Sequence, residues 1–206
     1  MQSKKELAVF LSKLKPFEEP NPKLEQYPTD AEVAASVLWD AYMAGNIEGK
    51  HVADFGCGTG ILGIGALALG ARHVAFLELD SRVFPVLMEN LAFLEHKTDT
   101  TYSNYDIVEG NVASYTEEAD TILQNPPFGT RNEHADTQFL EQALRLAPLV
   151  YSFHKTTTKE HISRIAKQHN AKITNQADFD FPLKQTMAHH KKTIERVAIS
   201  CFTIER

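Results

Sequence analysis

From about residue 51 onward, short runs rich in β-branched and aromatic residues alternate with stretches whose apolar positions recur every three or four residues. The runs predict strands at His51–Phe55, His73–Glu78, Tyr105–Glu109, Thr121–Gln124 and residues 149–153. The intervening stretches predict helices, for instance over residues 61–69 with a stop at Gly70, over 83–94 and over 137–146. Such alternation implies an α/β fold with a largely parallel sheet, and strands this short and apolar require helices on both faces. Residues 171–181 and 194–204 also read as strands, but the loop between them, with Pro182, Lys184, His189, His190, Lys191 and Lys192, shows no helix. Two strands joined without a crossover helix should pair antiparallel.

Upstream, Leu7, Phe10, Leu11 and Leu14 follow helical spacing over residues 4–14, and residues 13–27 form a Pro-rich connector. A second helix is expected to start at Thr29, since Thr29-Asp30-Ala31-Glu32 has capping-box spacing, and to continue through Val33, Val37, Leu38 and Ala41 to Gly45. The 206 residues, 43% of them hydrophobic, suit one domain, with N-terminal helices over 1–47 and the α/β core over 48–206. The start lacks the pattern of a signal peptide, and no apolar stretch approaches the ~20 residues of a membrane span, so a soluble, cytoplasmic protein is expected. Two distant cysteines, Cys57 and Cys201, leave no disulfide framework or Cys-rich zinc site, and no metal is expected.

The net charge of −6 averages two unlike regions. Residues 1–153 carry 11 Lys and Arg against 22 Asp and Glu, whereas residues 154–196 carry 9 against 4. The basic part is a candidate to track phosphates, the bland alternative being a solvated surface.

Three motifs sit where an α/β sheet binds ligands, outside the carboxyl ends of its strands. Asp54-Phe55-Gly56-Cys57-Gly58-Thr59-Gly60 joins the first strand to a helix. A dinucleotide fingerprint would need a third glycine at position 61, which is Ile61, and Gly60 comes one position early. S-adenosylmethionine has no pyrophosphate and suits an acidic neighbour better, with Asp54 a candidate to hold its ammonium directly or through water. Glu78, 22 residues after Gly56, stands near the offset at which a carboxylate meets ribose hydroxyls, whereas Asp80 is expected to cap the next helix. Gly110-Asn111-Val112 follows the third strand, where an acceptor could meet an adenine amine and Val112 pack on its ring.

Asn125-Pro126-Pro127-Phe128 ends the fourth strand. Two consecutive prolines remove both amide donors and stiffen the backbone, so carbonyls face outward in a fixed geometry. The Asn125 side-chain oxygen and the Pro126 carbonyl could bind both hydrogens of an exocyclic amine, turning its lone pair toward a sulfonium methyl. Phe128 could stack on an extruded base.

With these motifs the chain resembles the class I methyltransferases, and among them the methyltransferase-like five family of ribosomal RNA adenine N6-methyltransferases with its archaeal relatives. Narrower strings carry the resemblance further: Leu24-Glu25-Gln26-Tyr27-Pro28-Thr29, Asn125-Pro126-Pro127-Phe128-Gly129-Thr130, Tyr151-Ser152-Phe153-His154-Lys155 and His190-Lys191-Lys192. It implies a Rossmann-like, mostly parallel seven-stranded sheet with an antiparallel C-terminal strand. It further implies that Gln26 and Thr29 close over S-adenosylmethionine, that Gly56, Thr59 and Ile61 line its methionine side in a loop whose Gly58 and Gly60 also bind the cofactor, and that Glu78 meets the ribose and Asn111 and Val112 the adenine. Glu78 and Asn111 stand where Asp is commoner in the family, and Asn111 must aim its amide oxygen at the adenine amine. His154 and Lys155, with Lys191 and Lys192, would contact the RNA backbone, His154 alternatively satisfying a loop carbonyl. Family members also work with a small zinc-containing activator subunit that adds a strand to a sheet edge, here Tyr105–Glu109. Competing functions are a guanine-N2 RNA methyltransferase, a protein glutamine methyltransferase and a non-catalytic assembly factor.

Overall fold

The computed structural model describes residues 1–128, 135–183 and 195–206. Two helices, α1 (Lys4–Leu11) and α2 (Ala31–Met43), precede alternating elements: β1 (His51–Phe55), α3 (Ile61–Ala68), β2 (His73–Glu78), α4 (Phe84–Thr98), β3 (Tyr105–Glu109), β4 (Thr121–Gln124), α5 (Ala135–Leu146), β5 (Leu149–Lys155) and α6 (Lys159–Gln168). The chain then returns in β6 (Lys172–Leu183) and β7 (Glu195–Glu205). One seven-stranded sheet runs in the order β3-β2-β1-β4-β5-β7-β6. Its first five strands are parallel, and β7 pairs antiparallel with both β5 and β6. This is the Rossmann-like arrangement expected.

Side-chain alternation divides the core between the two faces. Val52, Leu123, Tyr151 and Phe153 pack with Leu7, Leu11, Leu38, Ile64 and Leu87 of α1 to α4. Ala53, Phe55, Ile122 and Val150 face the other way, onto Leu140 and Leu144 of α5 and Ile162 and Ile165 of α6.

Several boundaries differ from the hydrophobic pattern. The first helix stops at Leu11 because Lys13 and Leu14 bond three residues back, in tight turns leading into Pro16. Asp30, not Thr29, caps α2, its side chain accepting from Glu32 N and Val33 N at 2.9 and 3.2 Å. Helix α6, with only Ile162, Ile165 and Ala166 buried, escapes the pattern reading among its charges. Strand β5 runs two residues beyond Phe153, through His154 and Lys155.

The sheet places candidate chemistry at one end. The turns after β1, β2, β3 and β4 all leave the carboxyl ends of parallel strands. The β6–β7 pairing continues from the last β5 partner, Ile199, to Leu183 opposite Glu195, so this hairpin extends past the carboxyl end of β5. Its connecting loop, including Lys191 and Lys192, lies outside the described residues, as do Gly129 and Thr130. Among the described residues no helix is long and apolar enough to cross a membrane, and no His, Cys, Asp and Glu cluster could hold a metal.

Candidate active site

The glycine loop is fastened to the next strand before any ligand is considered. Gly56 N and Cys57 N both donate to Leu77 O, at 2.8 and 3.0 Å. Gly58 has a φ of 53°, and a Cβ there would lie 2.6 Å from Phe17 Cζ, so only glycine lets the connector's aromatic ring approach. Asp54 is buried beneath the loop and accepts from Gly63 N at 2.8 Å, fixing the first turn of α3. Burial pushes its carboxyl up to about 7, against the opposing Gly63 N–H and with help from nearby Glu78. Cys57 is also buried, which pushes its thiol well up and removes it as a nucleophile.

Glu78 is held by three backbone donors: Gly58 N at 3.0 Å on one oxygen, and Leu79 N and Asp80 N at 2.8 and 2.9 Å on the other. Burial raises its pKa against these donors. Asp80 caps the following turn through Arg82 N and pairs with the Arg82 guanidinium at 2.7 Å, which holds its carboxyl below the usual range.

Two adjoining cavities of about 370 and 570 Å³ open around this loop, in the range of small-ligand sites. The smaller is lined by Glu78, Leu79, Asn111, Val112 and Phe139, the larger by Thr29, Asp54, Thr59 and Ile61. Phe17, Gln26, Tyr27, Gly56, Gly58 and Asn125 line both. The N-terminal connector therefore forms a wall of the cleft. It is anchored by Asn90 of α4, which accepts from Lys15 N at 2.8 Å and donates to Lys15 O and Thr59 O at 3.0 and 2.9 Å. Further along, Gln26 donates to Asp80 Oδ2 at 3.0 Å and accepts from Asn21 N at 2.8 Å.

At the end of β4, Asn125 Nδ2 donates to Thr29 Oγ1 at 2.9 Å, which turns the amide oxygen the other way. The Tyr27 hydroxyl lies 3.3 Å from that oxygen and 3.3 Å from Pro126 O. Its ring packs on Phe128 with centroids 5.2 Å apart. Two acceptors thus converge on one point beside an aromatic face.

Not every expected residue reaches the cleft as read from sequence. His154 is 1% exposed and cannot touch RNA phosphates where it stands. Its position in β5 turns it inward, where Nε2 contacts Ser152 Oγ at 2.6 Å, Ser152 accepts from Gln124, and Nδ1 lies 3.8 Å from Asp136 without a hydrogen-bond partner. Burial lowers its pKa, so the ring is neutral. Lys155 is half-buried at the end of β5. Asn111 does line the smaller cavity, and its amide oxygen, expected to face an adenine amine, accepts from Ala113 N at 2.9 Å and caps a short turn. Conversely, Tyr27, Phe17, Leu79 and Phe139 line the cleft without having been singled out. The aromatic in the Pro-rich connector and the apolar residue after Glu78 were the available signals.

Residues 22–181 match the family described as Conserved hypothetical protein 95. The chain is 36% identical over 195 residues to the rRNA N(6)-adenosine-methyltransferase METTL5 of Danio rerio, covering 91% of each chain. It is 30% identical to the uncharacterized protein MJ0284 of Methanocaldococcus jannaschii, covering 100% of this chain and 95% of the relative. A crystal structure of PH1948 from Pyrococcus horikoshii, titled as a candidate RNA methyltransferase, superposes with a TM-score of 0.90 at 38% identity, covering 100% of this chain and 98% of that one. The chain belongs to the Conserved hypothetical protein 95 family, among the class I methyltransferases that resemble METTL5.

Proposed function

We propose that the protein is an S-adenosylmethionine-dependent methyltransferase acting on N6 of an adenine in RNA, with ribosomal RNA as the substrate. The observation that carries this is the convergence of Asn125 Oδ1 and Pro126 O on a single point, 3.3 Å from each, beside Phe128. An amine conjugated to a ring is a poor nucleophile. Binding both of its hydrogens to these acceptors holds the nitrogen in place and turns its lone pair out of the ring's conjugation, for in-line attack on a methyl carbon. The nitrogen–carbon bond forms as the carbon–sulfur bond breaks, and the amine then releases a proton.

The residues present fit the cofactor, which supplies the methyl as a sulfonium. Glu78, pinned by Gly58, Leu79 and Asp80 N–H groups, keeps a carboxylate at the cleft wall for ribose hydroxyls. Val112 and Leu79 offer apolar surface to the adenine. Asp54 and Thr59, with Gly56, Gly58 and Ile61, bound the methionine end, and Gln26 and Thr29 close it from the connector. Lys155, and Lys191 and Lys192 of the hairpin loop, would meet phosphates. Strand β3 stands at one edge of the sheet, with Ile107 and Val108 half-buried, and is the place for a small zinc-containing activator subunit to add a strand. Action on ribosomal RNA fits a cytoplasmic protein.

The test is transfer of labelled methyl groups to ribosomal RNA lacking the modification, with and without the activator, followed by nucleoside analysis. N6-methyladenosine that disappears in Asn125→Ala is expected. N2-methylguanosine would overturn the base, and label found only in protein would overturn the substrate.

A further inference from the structure

One side chain already does what the substrate base is asked to do. Tyr27 places its hydroxyl 3.3 Å from Asn125 Oδ1 and 3.3 Å from Pro126 O, and lays its ring against Phe128 at 5.2 Å and 36°. The pair of acceptors and the stacking face are thus engaged together by a residue of this chain's own connector. A phenol brings one hydrogen to two acceptors, and both contacts are correspondingly long. An exocyclic amine brings two hydrogens and can satisfy each acceptor separately. A ring carbonyl brings none and would set oxygen against oxygen.

We propose that Tyr27 is a gate residue that occupies the amine seat of the acceptor site and is displaced by a base carrying an exocyclic amine. The inference rests on the amine-methylating reading given above. It adds a step: base entry requires the Tyr27 side chain to leave Phe128 and both acceptors. Until then the two acceptors share the phenol's one hydrogen and the aromatic face is covered, which keeps both polar groups from facing an apolar ring with no donor at all. Because closure lowers the population able to bind, it weakens every incoming base by the same factor.

Two measurements test this. With S-adenosylhomocysteine bound, the ring resonances of ¹³C-labelled Tyr27, assigned through Tyr27→Phe, are followed as a short target RNA is added. They should shift as the ring leaves Phe128, while the same RNA carrying inosine at the target position should leave them in place. In steady-state kinetics Tyr27→Phe, which keeps the ring but loses the hydroxyl, should lower the KM for RNA by roughly two- to tenfold without lowering kcat, the range set by one net hydrogen bond. Tyr27 resonances unmoved by bound target RNA would overturn the proposal, as would a Tyr27→Phe enzyme with lowered kcat or unchanged KM. If wild-type enzyme methylates guanine N2, the adenine reading fails separately, and the same displacement is measured with that amine.

Discussion

Thr29 has a task that its place before α2 does not announce. Asp30 takes the capping role, which frees the Thr29 hydroxyl to accept from Asn125 Nδ2 and fix which edge of the amide faces the cleft. Thr29→Val keeps the shape but removes the acceptor. Its kcat should fall roughly five- to tenfold, about one hydrogen bond, while Thr29→Ser restores it; single-turnover methyl transfer checks this. Asp54 makes a different prediction. Its folded carboxyl keeps a proton up to about 7, whereas the ordinary value is 3.8, so the stability it contributes is fully present below about 4 and is lost as pH rises through about 7. Asp54→Asn is uncharged throughout and can still accept from Gly63 N. Its thermal midpoint should match wild type near pH 4 and exceed it above pH 7, with the gap opening between. Motif spacing put Asn125, Glu78 and the glycine loop at strand ends, and there Asn125, Glu78, Gly56 and Gly58 line one cleft. It contained neither the turn that occupies the Asn111 oxygen nor the last residues of β5 that draw His154 inward.

At the scale of elements, segments rich in apolar residues were readable, and a strongly amphipathic but charge-rich one was not. The five parallel strands and most helices follow from alternating apolar runs, but α6 buries only three positions among Lys, Glu, His and Arg, too few to stand out. Two further residues of β5 are fixed by their partners Ser200 and Ile199 in β7, 46 and 44 positions away, a pairing no local pattern contains. That extension is what buries His154. The edge position of β3 follows from the strand order, and its half-buried Ile107 and Val108 leave backbone available to a partner strand. Mixing with the activator subunit proposed above should slow amide hydrogen exchange across Tyr105–Glu109 and leave β7 unchanged, read peptide by peptide by mass spectrometry. Equal protection of β7 would place the partner elsewhere.

Across the whole molecule, acidic and basic regions are segregated along the chain, and the hairpin that reaches past β5 belongs to the basic one. With Lys155 of that basic region at the carboxyl end of β5, a chain of net charge −6 sets a cation at the same end of the sheet as a cleft whose wall holds Glu78 and Asp54. The connector adds a consequence in time. It is clasped at Lys15 by Asn90 and continues into α2 at Asp30, while its middle bounds both cavities of the cleft. A cofactor held behind that span would leave slowly, and the expected outcome is a first round of product in a burst, with later rounds waiting on release. Asn90→Ala, which cuts the clasp on both Lys15 and Thr59, should abolish the burst in rapid-quench kinetics by speeding departure. Such a burst would make the wall a door as well, and turnover would then be timed by how often sixteen residues of chain let go of one asparagine.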